Sequence, residues 1–573
     1  MTQPTPAIVA QGAVQRLPRI ALLLFCVAYV LPGLVGREPW RSADISAFGY
    51  MAELARGTSD WFAPQLLGLA PKVDALLPYW LGAWAIQLAP SWMASDLAAR
   101  IAFGLLLVLT LVSTWYATYF LARSPQAQPV AFAFGGEALP PDYARAMADG
   151  GLLAFIACLG LAQLSHETTP ALAQLCFTAL TFYALAALPN RTLFPLLGAA
   201  AGLIGLALSG APTMAALFGA GGTLIHLLDN YCDADSTRKN TMKGGALALL
   251  SVLVIVLASV LGLWRWRIEM PEPSWVEWRS LARLLLWFTW PAWPLALWTL
   301  WRWRHQLFRR CAPSRHLALP LWFAGIAVVA TLSTASADRS LLLALPALAT
   351  LAAFALPTLK RSVTALIDWF TLLFFSGCAV IIWVIWISMQ TGVPAQPAAN
   401  VARLAPGFAH SFSLLSFLLA IAATLAWVWL VHWRVGRHRA AIWKSLVLPA
   451  GGAALCWLLL MTLWLPLLDF ARSYAVQARR VVAVLPQPVC VEVQGLSRGQ
   501  IAAFEFYGKL RLKPAGVQTN CPWLIAGKDV SAPGSTLVDL TRWRVDSRLR
   551  HQYDRDEDVV LYRRNASAEP GTP

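Results

Sequence analysis

A carboxylate placed at the edge of an apolar run is where this chain could do chemistry. Residues 36–50 read GREPWRSADISAFGY and follow directly on the first long apolar stretch, so Asp44, with Glu38 upstream, falls at headgroup depth. A carboxylate there can serve as a general base, taking the proton of a group that attacks a substrate whose phosphate lies among the headgroups while its tail stays in lipid. The plainer alternatives are a helix cap or solvated loop acid for Asp44, and an ion pair with Arg37 or Arg41 for Glu38. A second polar spot is Ser165-His166-Glu167-Thr168-Thr169-Pro170. His166 and Glu167 could orient an acceptor or touch a metal ion, but two adjacent residues without a HExxH spacing make a poor metal site. A capped turn before a helix that begins with proline explains the same residues.

The elements that must carry these groups are membrane helices. Of the 573 residues 58% are hydrophobic and only 13% charged, against about a quarter charged in ordinary soluble proteins. Apolar runs of a length that crosses about 30 Å of hydrocarbon recur from Ile20 to Asp469. Spans are predicted near 19–36, 97–121, 148–164, 170–188, 193–209, 211–228, 243–263, 282–301, 317–334, 339–357, 365–388, 412–432 and 444–468, about thirteen in all. The 28 tryptophans gather near run ends, and Trp264, Trp266, Trp275 and Trp278 place loop 264–281 at an interface. Arg16 and Arg19 precede an apolar run with no convincing small-residue cleavage site, so the first helix is expected to be retained.

The net charge of +16 is excess Lys and Arg of the kind that marks cytoplasmic loops, and no basic-aromatic module points to nucleic acid. With the N-terminus inside, Arg123 and Arg145, Arg238 and Lys239, Arg302 to Arg315, Lys360 and Arg361, and Arg434 to Lys444 all fall on the cytoplasmic side. The long loop 37–96 and everything after Leu468 then lie outside. The membrane part is expected to be 1–474, and residues 475–573 a small extracytoplasmic α/β domain. Its strands are predicted at Val481–Leu485, Val489–Val493, Trp523–Ala526 and Val559–Tyr562, with a helix over Arg498–Leu510. Of nine cysteines only Cys490 and Cys521 fall in this tail, either as a disulfide of an oxidising compartment or as two buried thiols.

Asp44, the amphipathic Phe48–Arg56, Pro64-Gln65-Leu66-Leu67-Gly68, Pro78-Tyr79-Trp80, Asp96-Leu97-Ala98-Ala99-Arg100, Asp338-Arg339 with LLLALPAL, and LWLPLLDFARSY before the tail together form a pattern. It resembles the GT-C membrane glycosyltransferases, among them protein O-mannosyltransferases and the 4-amino-4-deoxy-L-arabinose transferases of lipid A. Two departures stand out: Ala43-Asp44-Ile45 holds a single acid where the family often has two, and Asp74 stands where a lysine is frequent. The resemblance implies inverting transfer of a sugar from a polyprenyl-phosphate donor to a lipid, glycan or protein acceptor at the periplasmic face of a bacterial inner membrane. Asp44 would be the base and Glu38 a second acid. Lys72, Arg265, Arg267 and Arg339 would hold the departing lipid phosphate, whose charge grows costly as water is excluded, and Tyr79, His166 and Glu167 would flank the acceptor. A divalent metal is left open. A ligase or polymerase of lipid-linked glycans needs a similar outer face. A transporter or flippase, the reading from another class, predicts ionisable groups deep in the spans, where few are found.

Overall fold

The computed structural model describes residues 5–231, 238–264, 274–307, 314–334, 337–436, 441–486, 490–516, 521–527, 538–549 and 557–565. Its first helices are α1 (Arg19–Val30), α2 (Ala43–Arg56), α3 (Leu77–Leu88), α4 (Ser95–Ala122), α5 (Pro140–Ala157), the single turn α6 (Leu161–Leu164) and α7 (Pro170–Ala187). Proline stands in the first turn of α3, α5 and α7, where its missing N–H costs no helical bond. Thr169, before Pro170, is extended, which ends the preceding turn and starts α7 in one step.

Among the described residues seven helices are long and apolar enough to cross a membrane: Ser95–Ala122, Pro170–Ala187, Asn240–Val260, Arg315–Leu332, Arg361–Thr391, Leu414–Arg434 and Ile442–Thr462. Arg19–Val30, Leu193–Leu208 and Leu345–Thr358 are apolar but shorter. Length and hydropathy thus give fewer full crossings than the thirteen expected, because several predicted spans are interrupted. The run 282–301 is divided between Trp275–Phe288 and Ala292–Arg302, and 339–357 between Ala337–Leu342 and Leu345–Ala355. The first span also stops early, at Val30. Beyond it Gly33 takes a left-handed conformation, and a Cβ there would stand 2.9 Å from the Trp457 ring. Only a glycine lets the chain turn under that indole.

The core is formed where α4, α5, α7 and Leu345–Ala355 meet, faces rich in alanine and threonine. Small side chains allow close backbone approach, and Thr118 Oγ1 lies 2.8 Å from Thr350 Oγ1 across the interface. On one side of the bundle the N-terminal segment is tied down by Arg16 on Asp142 at 2.9 Å and by the Trp443 indole on the Gln15 carbonyl at 2.7 Å. The opposite side carries loop 31–42, α2, α3, the turn 158–169 and the tail.

The tail opens with a helix, Ala475–Val484, and not with the strand expected over Val481–Leu485. Its β-branched run looks strand-like, but Ala475, Ala478 and Val481 recur at helical spacing and are its buried apolar positions, with Gln477 buried beside them. A five-stranded sheet follows, made of β1 (Cys490–Gln494), β2 (Arg511–Pro514), β3 (Trp523–Gly527), β4 (Trp543–Leu549) and β5 (Val559–Arg564), in the order β2-β1-β3-β5-β4. β1 pairs in parallel with β2 and β3, and β5 is antiparallel to β3 and β4. The expected helix runs over Arg498–Phe506, started by a capping box between Ser497 and Gln500. β2 and β4, which the sequence does not announce, are the two edges of the sheet. Edge strands carry charge and proline against further pairing, which erases the apolar alternation of a strand.

Cys490 and Cys521 are joined, linking the start of β1 to the residues before β3 across a sequence separation of 31. By loop-closure entropy, reduction is expected to destabilise the tail by about 3–4 kcal/mol. Thermal unfolding with and without reductant measures this, and an unchanged midpoint would refute it.

The tail rests on α2. Gly49 faces Ala502 so closely that a Cβ at 49 would stand 2.6 Å from the Ala502 Cβ, and Phe48 meets Phe506 edge-on at 4.7 Å. Gly49→Leu is therefore expected to lift the Arg498–Phe506 helix, seen as faster amide exchange there. Wild-type protection in the variant would show that the contact yields.

Candidate active site

Asp44 lies in the first turn of α2 and is 1% exposed. Its Oδ1 accepts the Thr168 N–H and the Thr168 hydroxyl, each at 2.7 Å. Its Oδ2 accepts the Arg37 guanidinium at 2.9 Å and the Trp40 N–H at 3.1 Å. Four donors thus fix both oxygens, and the carboxylate ties loop 31–42 to the turn before α7. Between them Ser42 has a left-handed φ of 76°, an uncommon setting for a residue with a side chain. Arg37 is buried too; its second partner is the His166 carbonyl at 2.6 Å, and its guanidinium lies 4.7 Å from the Trp40 ring centre.

Burial of a charge is tolerable only when the charge is paired and hydrogen-bonded. Asp44 meets that condition at both oxygens and Arg37 at its Nη2, which serves Asp44 and the His166 carbonyl together; the contacts bring together residues 124 and 129 positions apart in sequence. Glu167 is the second buried acid. Its Oε1 accepts the Gln163 amide at 3.0 Å and its Oε2 pairs with Arg339 at 3.4 Å. Burial, and after it the charge of Asp44, raise its pKa. Two residues singled out separately, Glu167 and Arg339, thus belong to one cluster, and Arg339 faces Glu167 across the bundle. Arg472 extends the cluster by donating to Gln163 Oε1 at 2.6 Å.

His166 lies in the same turn but its ring is used by the fold. Nδ1 contacts the Ala162 carbonyl at 2.6 Å and Nε2 the Tyr29 carbonyl at 3.1 Å, with the Trp457 ring 4.7 Å away. Burial drives its pKa down to about 4, so the ring is neutral at pH 7. Its backbone carbonyl, bound to Arg37, is what reaches the site. Glu38 sits at the rim, partly exposed, paired with Arg479 of the tail at 3.4 Å. Tyr79 lies in another cluster: it is buried against Tyr50 at 5.4 Å with its hydroxyl toward the Val73 carbonyl at 3.4 Å. Lys72 is exposed on the loop preceding α3. Arg265 and Arg267 lie outside the described residues. Among the described residues no group of three or more His, Cys, Asp or Glu is arranged to hold a metal.

Two residues of the site went unnamed by the motifs. Asp469 Oδ1 accepts the Trp40 indole N–H at 2.8 Å and the Glu38 N–H at 3.3 Å, and the Arg472 guanidinium lies 5.0 Å from the Trp40 ring centre. Both stand on the helix Leu465–Arg472, inside the LWLPLLDFARSY run. An acid and a base three positions apart just after an apolar run were the available signal.

No family model matches the chain, and no curated protein matches it in sequence. Its fold does match. The crystal structure of ArnT from Cupriavidus metallidurans bound to undecaprenyl phosphate superposes with a TM-score of 0.60 at 14% identity, covering 96% of this chain and 99% of that one. This is the GT-C glycosyltransferase fold. The apo state of the same protein gives 0.59 with the same identity and coverage. The oligosaccharyltransferase of Archaeoglobus fulgidus, tethered to an acceptor peptide, overlaps more loosely, at a TM-score of 0.43 and 11% identity over 89% of this chain and 70% of that one. In this GT-C fold the Asp44 cluster sits where loop 31–42, the turn 158–169 and the helix Leu465–Arg472 converge beneath the tail.

Proposed function

We propose that the chain is an inverting glycosyltransferase that moves a sugar from a polyprenyl-phosphate donor to a lipid, glycan or protein acceptor. The observation that carries this reading is the full-length GT-C likeness to a structure holding undecaprenyl phosphate. The buried carboxylate cluster at one end of the bundle supports it, since that depth suits a donor anchored in lipid.

In this reading the acceptor hydroxyl replaces the Thr168 hydroxyl on Asp44 Oδ1, while the Thr168 N–H, Arg37 and the Trp40 N–H keep the carboxylate in place. Asp44 takes the acceptor's proton as its oxygen bonds to the anomeric carbon, and the bond to the lipid phosphate breaks on the far side. Arg339, Lys72 and the segment carrying Arg265 and Arg267 supply the charge that the departing phosphate needs. Glu38 is the second acid, at the rim. In this reading the loops holding Arg123 and Arg145, Arg238 and Lys239, Arg302 to Arg315, Lys360 and Arg361, and Arg434 to Lys444 face the cytoplasm, and the tail lies in the periplasm of a bacterial inner membrane; the excess of Lys and Arg in those loops supports it.

The test is transfer of labelled sugar from a panel of polyprenyl-phosphate sugars by the purified chain in lipid nanodiscs, with endogenous acceptors extracted from the source membranes. Labelled product that depends on the protein is the expected result. Its absence with every donor, from a protein that remains folded, would overturn the reading.

A further inference from the structure

Trp40 is held at every polar point it has. Its backbone N–H bonds Asp44 Oδ2 at 3.1 Å, its carbonyl accepts the Ile45 N–H at 3.0 Å, and its indole N–H bonds Asp469 Oδ1 at 2.8 Å. Two guanidinium groups lie over its ring, Arg37 at 4.7 Å and Arg472 at 5.0 Å. Such contacts draw on the ring's negative face and gain strength away from water, and Trp40 is 3% exposed. One residue, through its backbone N–H and its indole N–H, thus joins Asp44 to a carboxylate more than four hundred residues away in sequence. The surrounding chain follows the same strap: the Glu38 N–H bonds Asp469 at 3.3 Å, and the Arg41 N–H bonds the Arg472 carbonyl at 2.6 Å. Three bonds from two residues of one helix therefore set where loop 38–41 lies, and through it the Trp40 N–H that holds Asp44.

We propose that Asp469 is a positioning residue for the Asp44 site, acting through Trp40, and that its ionised form is the one that holds the site ready. The proposal rests on the transfer reading above. An ionised carboxylate binds the indole N–H more strongly than a neutral one and offsets the nearby Arg37 charge. Protonation weakens the bond and leaves Arg37 less compensated beside Trp40. The charged and titratable groups facing Asp469 are Arg37 and Glu38 from the loop and Tyr507 from the tail, while Arg472 of its own helix lies over the Trp40 ring. Burial, opposed by the Trp40 bond and reinforced by Glu38, raises the Asp469 pKa to about 7. The change of state therefore falls within the working range of pH.

The experiment compares wild type, Asp469→Asn, Trp40→Phe and the double variant in the transfer assay from about pH 5.5 to 8.5, a range centred on the raised carboxyl. Wild-type kcat is expected to fall on the acid side with a midpoint near 7. Asp469→Asn, a neutral mimic, is expected to lose roughly tenfold in kcat at pH 8 with little change in the donor KM, and to lack that acid limb. Trp40→Phe keeps an aromatic ring, though a smaller one, and the backbone N–H, but lacks the indole N–H. It is expected to match Asp469→Asn, and the double variant to fall no further. A wild-type profile in Asp469→Asn, or losses that multiply in the double variant, would overturn the proposal.

A second readout does not need turnover. A carboxyl whose folded pKa lies above its unfolded value favours the fold at low pH, and that advantage disappears as pH rises through the folded pKa. The melting temperature of Asp469→Asn minus that of wild type should therefore climb between about pH 5 and 7 and then level, and Trp40→Phe should shift the wild-type curve. A flat difference refutes the ionisation on which the proposal depends. Failure of every chain to transfer sugar, with this difference intact, would count against the transferase reading alone.

Discussion

Asp44→Asn, folded and present at the wild-type level, is expected to transfer sugar roughly 10²–10⁴-fold more slowly, the range that general-base catalysis supplies. The structure adds a reason for a loss at the upper end. All four donors around Asp44 point at oxygens, so an amide in its place must turn its NH2 group toward either the Thr168 pair or the Arg37 and Trp40 pair. Either choice sets donor against donor and loosens the loop as well as removing the base. The effect should appear in kcat, with the donor KM less changed, since the proposed reaction leaves the lipid phosphate to cations other than the Asp44 partners. Normal transfer by Asp44→Asn would remove Asp44 from catalysis and leave Glu38 and Asp469 as the acids to examine.

Arg37→Met should be the most destabilising single change at the site. Arg37 and Asp44 are 0% and 1% exposed at the side chain, and removing one partner of a buried pair costs about 3–5 kcal/mol because the other charge is left uncompensated. The methionine also frees the His166 carbonyl that Arg37 satisfies at 2.6 Å. Adding Asp44→Leu to Arg37→Met removes the stranded charge, so the double variant should recover much of the melting temperature while remaining inactive. Thermal unfolding in detergent, read beside the transfer assay, separates these effects. If the single variant melts as wild type does, the pair is not the clamp that its geometry indicates. Recovery of activity along with stability in the double variant would place the base elsewhere.

The sequence was most informative where a short pattern is enough. Asp44 could be singled out because an acid directly after an apolar run is a local feature, and the tail because its composition departs from that of the spans. The helix Arg498–Phe506 and strands β1, β3 and β5 were legible from alternation and capping residues, whereas edge strands β2 and β4 were hidden by charge and proline. Helix breaks at 289–291 and 343–344 were passed over, since hydropathy averages across a turn that is itself apolar.

By itself the sequence determined a bundle of apolar helices, the side on which the polar loops gather, the acid after the first helix, and the cysteine pair of the tail. Those properties reside in length, hydropathy and residue type, which need no partner. Only the tertiary structure decided which groups share the site. It gave Asp44 to Thr168 and Arg37, joined Glu167 to Arg339, used His166 as a strut, sent Tyr79 to Tyr50, and brought in Asp469 and Arg472. The physical reason is that a buried charge takes whatever partners the packed helices bring within about 3 Å; Arg37 is near Asp44 in the chain, but Thr168, the His166 carbonyl and Arg339 come from more than a hundred residues away, beyond the reach of any local period.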